Sequence, residues 1–171
     1  FPFAKSIGVG LVESAINLTK LCINEKPQKI IFIGSSGSYG NYKIFDILES
    51  REAANIELSY LLDDSYTPLD KIFKSDNDLL RNDVIVNSSN YITTNFDLSK
   101  KYAEYKIGIE NMEFFSVIQV AKKFNIPVAG IFIVTNFTNK NAHNDFLKNH
   151  KEAMKKLINY LEEKQIINNQ K

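Results

Sequence analysis

Glu113 is the residue whose type and position most directly suggest chemistry. It lies in the first turn of a predicted helix, Asn111 to Phe124, in which apolar residues cover most of the circumference. The partial positive charge at a helix N-terminus stabilises a carboxylate there. Because a carboxylate only accepts hydrogen bonds, it is suited to hold the two hydroxyls of a ribose. An exposed glutamate that merely stabilises its helix would show the same pattern.

A glycine- and serine-rich segment, residues 34–38, follows a short apolar run, Lys29 to Ile33, which is typical of a strand covered on both faces. Glycines let a ligand approach the backbone, whose N–H groups could hold an anion or a sugar hydroxyl together with the Ser35 and Ser36 hydroxyls. We predict a loop here, and a tight turn without a ligand is the alternative. The segment matches neither a Walker loop nor a dinucleotide fingerprint.

Asn136 follows a second apolar strand, Val128 to Val134, and precedes a polar loop. An amide at this position suits a binding site or an ordinary turn. The two histidines, His143 in the loop and His150 on the apolar side of the last helix, have no partner at metal-ligand spacing. We therefore expect no metal site and a packed His150. No Gly-x-Ser-x-Gly motif supports a hydrolase triad.

Hydrophobic periodicity predicts helices that alternate with strands. The predicted helices are 11–23, 111–124 and about 144–164; the predicted strands are 29–33, 44–49, 56–60, 84–86 and 128–134; residues 63–82 are predicted to be irregular. This alternation indicates a layered α/β domain. Ligands in such folds bind at loops beyond the carboxyl ends of strands, here 34–38, 87–94 and 135–144.

Composition and charge exclude several classes of function. The 171 residues suit one domain, and 21 basic against 20 acidic residues leave a net charge of +1. That balance argues against nucleic acid or an anionic membrane as a partner. No apolar run reaches the roughly 18 residues of a membrane span. The single cysteine, Cys22, excludes an intrachain disulfide and fits a reducing compartment, so a cytoplasmic location is expected.

Six segments in chain order carry a resemblance to a known family. They are Gly8-Val9-Gly10 before a helix, Pro27 to Gly37, Phe45-Asp46-Ile47-Leu48, Ser88-Ser89-Asn90-Tyr91-Ile92, Asn111-Met112-Glu113 and Phe124 to Asn136. Together they span nearly the whole chain. The ordered set resembles the purine nucleoside phosphorylase and methylthioadenosine/adenosylhomocysteine nucleosidase superfamily.

The resemblance implies a fold and an assembly. It implies a three-layer αβα domain of the phosphorylase/hydrolase-like type, with a central mixed sheet, over residues 1–171. The family's N-terminal strands, with a glycine-rich phosphate loop or a water-activating glutamate, have no counterpart, so a domain without them is expected. Family active sites often include a residue from a neighbouring subunit, which makes a homodimer plausible.

The resemblance also implies substrate-binding residues. Asn111-Met112-Glu113 is similar to the family's Glu-Met-Glu or Asp-Met-Glu signature, so Met112 and Glu113 would bind substrate and Glu113 would hold the ribose hydroxyls. Tyr91 would stack on the purine base, and the Ile92 backbone would be a polar partner of the base.

Ser35 and Asn136 complete the implied site. Ser35 would contact the nucleophile, and Asn136 would stabilise charge on the leaving purine. Family nucleosidases use an aspartate at the position of Asn136 as the general acid, and an amide has no proton to supply. Hexameric-type phosphorylases carry an arginine where this chain has Phe32. Neither Arg51 nor Arg81 falls at a phosphate-binding position, so hydrolysis is better supported than phosphorolysis.

Two functions follow as hypotheses. The first is an enzyme that cleaves the N-glycosidic bond of a purine nucleoside without a cofactor, with inorganic phosphate as a co-substrate only in a phosphorylase. The second is a relative that binds nucleosides, or has only a structural role, without turnover. Asn136 in place of the general acid and the absent arginine favour the second, whereas Asn111-Met112-Glu113 favours a ligand.

Overall fold

The computed structural model describes residues 2–167, which form a mixed sheet with helices on both faces. The helices are α1 (Leu11–Glu25), α2 (Leu58–Leu61), α3 (Phe96–Glu104), α4 (Phe114–Lys123) and α5 (Ala142–Glu163). The strands are β1 (Ile30–Ser38), β2 (Ile47–Ser50), β3 (Glu52–Ala54), β4 (Ile72–Lys74), β5 (Ile85–Ser88), β6 (Ile107–Asn111) and β7 (Val128–Phe137). None of the described helices has the length and hydropathy needed to cross a membrane.

The sheet has the strand order β2-β7-β1-β6-β5-β3-β4. β1 runs parallel to β7, and β5 runs parallel to both β6 and β3. The pairs β1–β6, β2–β7 and β3–β4 are antiparallel. The predicted mixed sheet is therefore confirmed, and β1 lies between β7 and β6.

Alternation along β7 explains the three layers. Phe132 and Val134 pack into a cluster with residues of α1 and α4 on one face of the sheet. Ile131 and Ile133 point the other way and pack against α5, for example against Leu157. Because both faces are covered, the strand is apolar throughout, as the sequence pattern predicts. The three-layer αβα architecture is confirmed.

The predicted strand over 56–60 is wrong. Ile56 is buried, but its N–H donates to Asn87 Oδ1 at 2.9 Å, and its carbonyl oxygen accepts from Asn87 Nδ2 at 3.1 Å. An amide side chain thus satisfies the backbone groups that a neighbouring strand would otherwise bind. The chain then turns into the short helix α2, which places Leu61 in the same apolar cluster as Ile56.

The predicted loop at residues 34–38 is also wrong, because this segment continues β1. Ser35 pairs with Ile133 and Ser38 with Phe137, so β1 and β7 extend side by side beyond their apolar portions. The pairing register shifts between Ser36 and Gly37. The glycine- and serine-rich residues are therefore held by strand hydrogen bonds, close to the carboxyl ends of two parallel strands.

Other boundaries differ more modestly. The helix predicted from Asn111 starts at Phe114, and residues 107–111 form β6, which the sequence analysis missed together with α3, β3 and β4. The first two residues of the predicted polar loop 87–94 belong to β5. α3 has few apolar residues, and its first turn is capped by the Asn95 side chain, which accepts from the Asp97 N–H at 2.9 Å.

Candidate functional site

A cavity of about 360 Å³ brings together all six residues that the sequence analysis proposed. They come from four separate parts of the chain: Ser35 from β1, Tyr91 and Ile92 from the loop after β5, Met112 and Glu113 from the link between β6 and α4, and Asn136 from β7. Further lining residues include Val9, Glu110 and His143. The cavity lies near the carboxyl ends of β1 and β7, where layered α/β folds place ligands.

The start of α4 leaves the Glu113 carboxylate free of a capping role. Asn111 Oδ1 accepts hydrogen bonds from the backbone N–H groups of Glu113 at 2.9 Å and Phe114 at 3.0 Å. Ser88 Oγ accepts from the Phe115 N–H at 3.0 Å. These neighbours satisfy three N–H groups at the start of the helix. Glu113 is the N-cap residue itself but makes no capping bond, and its side chain lines the cavity.

The Gly8-Val9-Gly10 turn touches this carboxylate. The Gly10 N–H donates to Glu113 Oε1 at 3.0 Å, and the φ of Gly10 is 84°, a conformation that favours glycine. Burial raises the pKa of Glu113 above its ordinary value. A segment more than a hundred residues away in sequence thus fixes one oxygen of the carboxylate. The sequence alone contains no indication of this contact.

We expect Asn111→Ala to lower the free energy of unfolding by about 1–2 kcal/mol, the usual effect of losing a helix cap. The substitution removes the acceptor of two N–H groups and also the hydrogen bond from Asn111 Nδ2 to the Ser35 carbonyl oxygen at 3.1 Å. Urea unfolding measures the change. Asn24→Ala, at an exposed position of α1, is the matched control and should cost less; equal losses would contradict this account.

Tyr91 and Ile92 lie at the rim of the cavity. The Tyr91 side chain is 82% exposed and Ile92 is 48% exposed. The Tyr91 N–H donates to Ser89 Oγ at 3.1 Å, which forms a local turn. An exposed aromatic ring above a cavity can lie against a flat ligand without displacing core residues.

Asn136 lies deeper and is nearly buried. Its Oδ1 is 2.9 Å from the Thr135 hydroxyl, and its Nδ2 donates to the Phe137 carbonyl oxygen at 3.2 Å. The Asn149 side chain donates to the Thr135 carbonyl oxygen at 2.8 Å, which ties α5 to this strand. The amide is thereby oriented, and it has no proton to transfer.

Glu110 is the cavity residue that the sequence analysis missed. Tyr39 Oη donates to its Oε2 at 2.9 Å, and the Thr93 N–H donates to its Oε1 at 3.0 Å. Burial, the strongest influence, raises the pKa of Glu110 to about 7 despite these two hydrogen bonds. Glu110 was not proposed as a site residue because β6, the strand that contains it, was not predicted. The alternation Ile107-Gly108-Ile109-Glu110 was the available indication of a strand with one polar position.

This raised pKa predicts a pH-dependent effect of Glu110→Gln on stability. Between an ordinary unfolded pKa of about 4.3 and the folded value of about 7, the native state binds more protons than the unfolded state. The contribution of Glu110 to stability therefore falls as pH rises through this window. Gln does not titrate, so the stability of the variant relative to wild type should rise from pH 5 to pH 8.

Urea unfolding at several pH values measures this difference. Loss of one hydrogen bond in Glu110→Gln shifts the whole curve but not its slope. Glu104→Gln, at an exposed position of α3, is the control and should give a constant difference. A constant difference for Glu110→Gln as well would contradict the raised pKa.

Positive charge and metal ligands are scarce around the cavity. Arg51 lies 3.8 Å from Asp78, and Arg81 lies 3.1 Å from Glu49; neither arginine lines the cavity. His150 is half-buried, and its ring stacks on Phe146, in partial agreement with the expected packing. Within residues 2–167, no group of three or more His, Cys, Asp or Glu side chains could hold a metal ion.

Known structures share this fold. A mutant 5′-methylthioadenosine/S-adenosylhomocysteine nucleosidase from Helicobacter pylori, with 5′-methylthioadenosine in the active site, superimposes with a TM-score of 0.76 at 20% identity, covering 92% of this chain and 78% of that chain. Futalosine hydrolase from the same organism gives 0.71 at 18% identity, covering 91% and 78%. The nucleosidase from Streptococcus pneumoniae with a transition-state inhibitor gives 0.71 at 18% identity, covering 88% and 74%.

Sequence comparison gives the family directly. A search of curated protein sequences finds no match. The family model described as the phosphorylase superfamily matches residues 2–163, which is most of the chain. The match includes every strand of the sheet and every residue named at the cavity. This protein belongs to the phosphorylase superfamily.

Proposed function

We propose that this protein binds a purine nucleoside in the cavity and cleaves its N-glycosidic bond. The observation that carries the proposal is the convergence of six residues from four chain segments on one cavity of about 360 Å³. A volume of this size lies within the range of ordinary small-molecule sites. The nucleosidases and the futalosine hydrolase of the same fold support the reaction class by analogy.

The ribose binds at Glu113. Its carboxylate is partly buried, with one oxygen held by the Gly10 N–H, so the group is already oriented before a ligand arrives. Two hydroxyl donors to a desolvated carboxylate form charge-assisted hydrogen bonds. Met112 gives the sugar an apolar contact beside Glu113.

The base binds on the opposite side of the cavity. Tyr91 stacks on the purine from the rim, and the Ile92 backbone contacts its polar edge. Asn136 hydrogen-bonds the base and stabilises the charge that develops as the bond to the sugar breaks. Ser35, an exposed residue of β1, contacts the attacking nucleophile.

Water is the nucleophile that this site supports better than phosphate. Phosphate is usually held by arginine forks or by several N–H donors. Both arginines of the chain form ion pairs away from the cavity. We therefore propose hydrolysis rather than phosphorolysis.

A nucleoside-binding relative without turnover is the second candidate. The observation in its favour is Asn136, whose amide cannot act as a general acid and whose two ends are already engaged by Thr135 and Phe137. In that case Glu113 would still hold the ribose, and only the cleavage would be absent.

The test follows release of free base from inosine, adenosine and 5′-methylthioadenosine, each with and without inorganic phosphate. We expect release that does not depend on phosphate. Release only with phosphate would replace hydrolysis by phosphorolysis. Shifts in melting temperature without release would support the binding relative, and the absence of both with every nucleoside would exclude both candidates.

A further inference from the structure

Glu110 and Asn136 flank the same glycine from opposite sides. Gly37 of β1 pairs with Glu110 on the antiparallel β6 and with Asn136 on the parallel β7. Residues directly opposite one another in a sheet project from the same face. A methyl group at Gly37 would lie 3.0 Å from Asn136 Nδ2 and 3.3 Å from Glu110 Cγ. The glycine thus lets the amide and the carboxyl group face the same part of the cavity.

The Glu110 carboxyl group is held in place and is not neutralised by a cation. Tyr39 Oη and the Thr93 N–H each donate to one of its oxygens. The Tyr39 ring is buried and stacks on Tyr102 with the ring centroids 4.4 Å apart. Among the described residues, no lysine, arginine or histidine forms an ion pair with Glu110. The other titratable groups that line the cavity are Tyr91, Glu113 and His143.

Thr93 connects Glu110 to the base-binding side of the cavity. Its N–H is the backbone donor that follows Tyr91 and Ile92, the residues assigned to the purine. A carboxyl group tied to this loop and facing Asn136 across Gly37 is therefore next to the position proposed for the base, and not next to the sugar at Glu113.

We propose that Glu110 is the catalytic proton donor of this site, acting on the leaving purine in the role that the Asn136 amide cannot fill. This inference rests on the proposed function. Asn136 then orients the base and Glu110 protonates it. Together the two residues provide the orientation and the proton that a single aspartic acid could provide alone.

The proposed hydrolysis needs no reactant other than the nucleoside and water. The bond between the sugar C1′ and the base nitrogen breaks, and its electron pair goes to the purine. The proton of Glu110 passes to a ring nitrogen of the purine, and a new bond forms between C1′ and the oxygen of the water. The water releases a proton to solvent, and solvent returns a proton to Glu110.

The electrostatics of the site agree with this geometry. A general acid is most effective when its pKa lies near the working pH. Burial raises the pKa of Glu110 to about 7, which lies near neutral pH. A carboxyl group with an ordinary pKa would be almost fully deprotonated at neutral pH and could not donate a proton.

Glu110→Gln tests the assignment because it removes the proton but keeps the size of the side chain. We expect the single-turnover rate of base release to fall by about 10²–10⁴-fold, while nucleoside binding, measured by calorimetry, changes by less than about threefold. The rate of the wild type should decline above pH 7, and this decline should disappear in the variant. Glu104→Gln on the exposed face of α3 is the matched control.

Tyr39→Phe is the second variant and leaves Glu110 in place. Because the Tyr39 hydroxyl donates to the carboxylate and thereby lowers the pKa of Glu110, its removal should shift the alkaline decline of the rate to higher pH. If Glu110 had only a structural role, Tyr39→Phe would not shift the alkaline decline of the rate. The expected shift has the same sign for every nucleoside that is cleaved.

Three results would overturn the inference. The first is a Glu110→Gln rate within tenfold of wild type. The second is a loss confined to binding, which would make Glu110 a recognition residue. The third is a wild type that binds nucleosides without releasing base. A wild type that neither binds nor cleaves any nucleoside would instead refute the proposed function itself, and would do so before any variant is made.

Discussion

Glu113→Ala should reduce kcat/KM for the nucleoside that is cleaved by about 10²–10⁴-fold. The estimate comes from two charge-assisted hydrogen bonds to the ribose, each of about 1.5–3 kcal/mol. Glu113 lines the cavity, and its burial makes these bonds stronger than they would be in solvent. Steady-state kinetics measures the loss, and calorimetry with the same nucleoside should show weaker binding of similar size.

Glu113→Gln separates binding from folding in this experiment. The amide oxygen can still accept from the Gly10 N–H, so the turn before α1 should stay in place and the melting temperature should change little. The amide carries no charge and has a single acceptor oxygen, which the Gly10 N–H would share, so it cannot accept from both hydroxyls as well. We therefore expect a large loss of nucleoside affinity with Gln too. A Gln variant with wild-type affinity would place the ribose elsewhere.

Phe114→Ala should lower the free energy of unfolding by about 3–5 kcal/mol, the usual range for a buried phenylalanine. The Phe114 side chain is fully buried, and its ring centroid lies 5.0 Å from that of Phe132 and 5.7 Å from that of Phe32. The substitution leaves a cavity between α4 and the sheet and also removes aromatic contacts. Urea or thermal unfolding measures the loss.

Two companion variants qualify this prediction. Phe114→Leu keeps most of the volume and should cost clearly less than Phe114→Ala. Phe96→Ala, where the side chain is 49% exposed, should cost the least. Because Phe114 follows Glu113 directly, its packing also positions the carboxylate, and the Ala variant should bind nucleosides more weakly at temperatures where it is still folded. A loss below about 1 kcal/mol would contradict the packing described for Phe114.

Strong apolar patterns were sufficient to predict the main elements. The strands around Ile31 and Ile131 were predicted from unbroken apolar runs, and the helices that became α1, α4 and α5 from their helical periodicity. These elements are two strands of the sheet's interior and the helices that cover its two faces. The family resemblance depended on the same stretches, together with short motifs such as Asn111-Met112-Glu113.

Weak patterns led to errors where a partner distant in sequence decides the local structure. Ile56 has the composition of a strand, but Asn87 satisfies its backbone groups, and the chain turns into α2. Ser36 and Gly37 have the composition of a loop, but β7 continues beside them and holds them in β1. In both places the outcome depends on a segment distant in sequence, which local periodicity does not reveal.

In the candidate site, too, the residues that belong to local motifs were predicted, and the residue that depends on distant partners was not. Residue types were informative where chemistry is local, so Ser35, Tyr91, Met112, Glu113 and their neighbours were proposed from motifs, and they lie around one cavity. Their roles stay predictions. Glu110 was not proposed, because its significance depends on partners from three other segments.

The sequence by itself therefore determined the layered α/β class, the family and six of the residues around the cavity, since these follow from hydrophobic periodicity and ordered motifs. Only the tertiary structure decided that the Gly10 N–H donates to the Glu113 carboxylate, and that Glu110 and Asn136 flank Gly37. The physical reason is that strand register and burial are properties of the assembled sheet. They set the distances between groups and the pKa of a carboxyl group, and no local pattern encodes either.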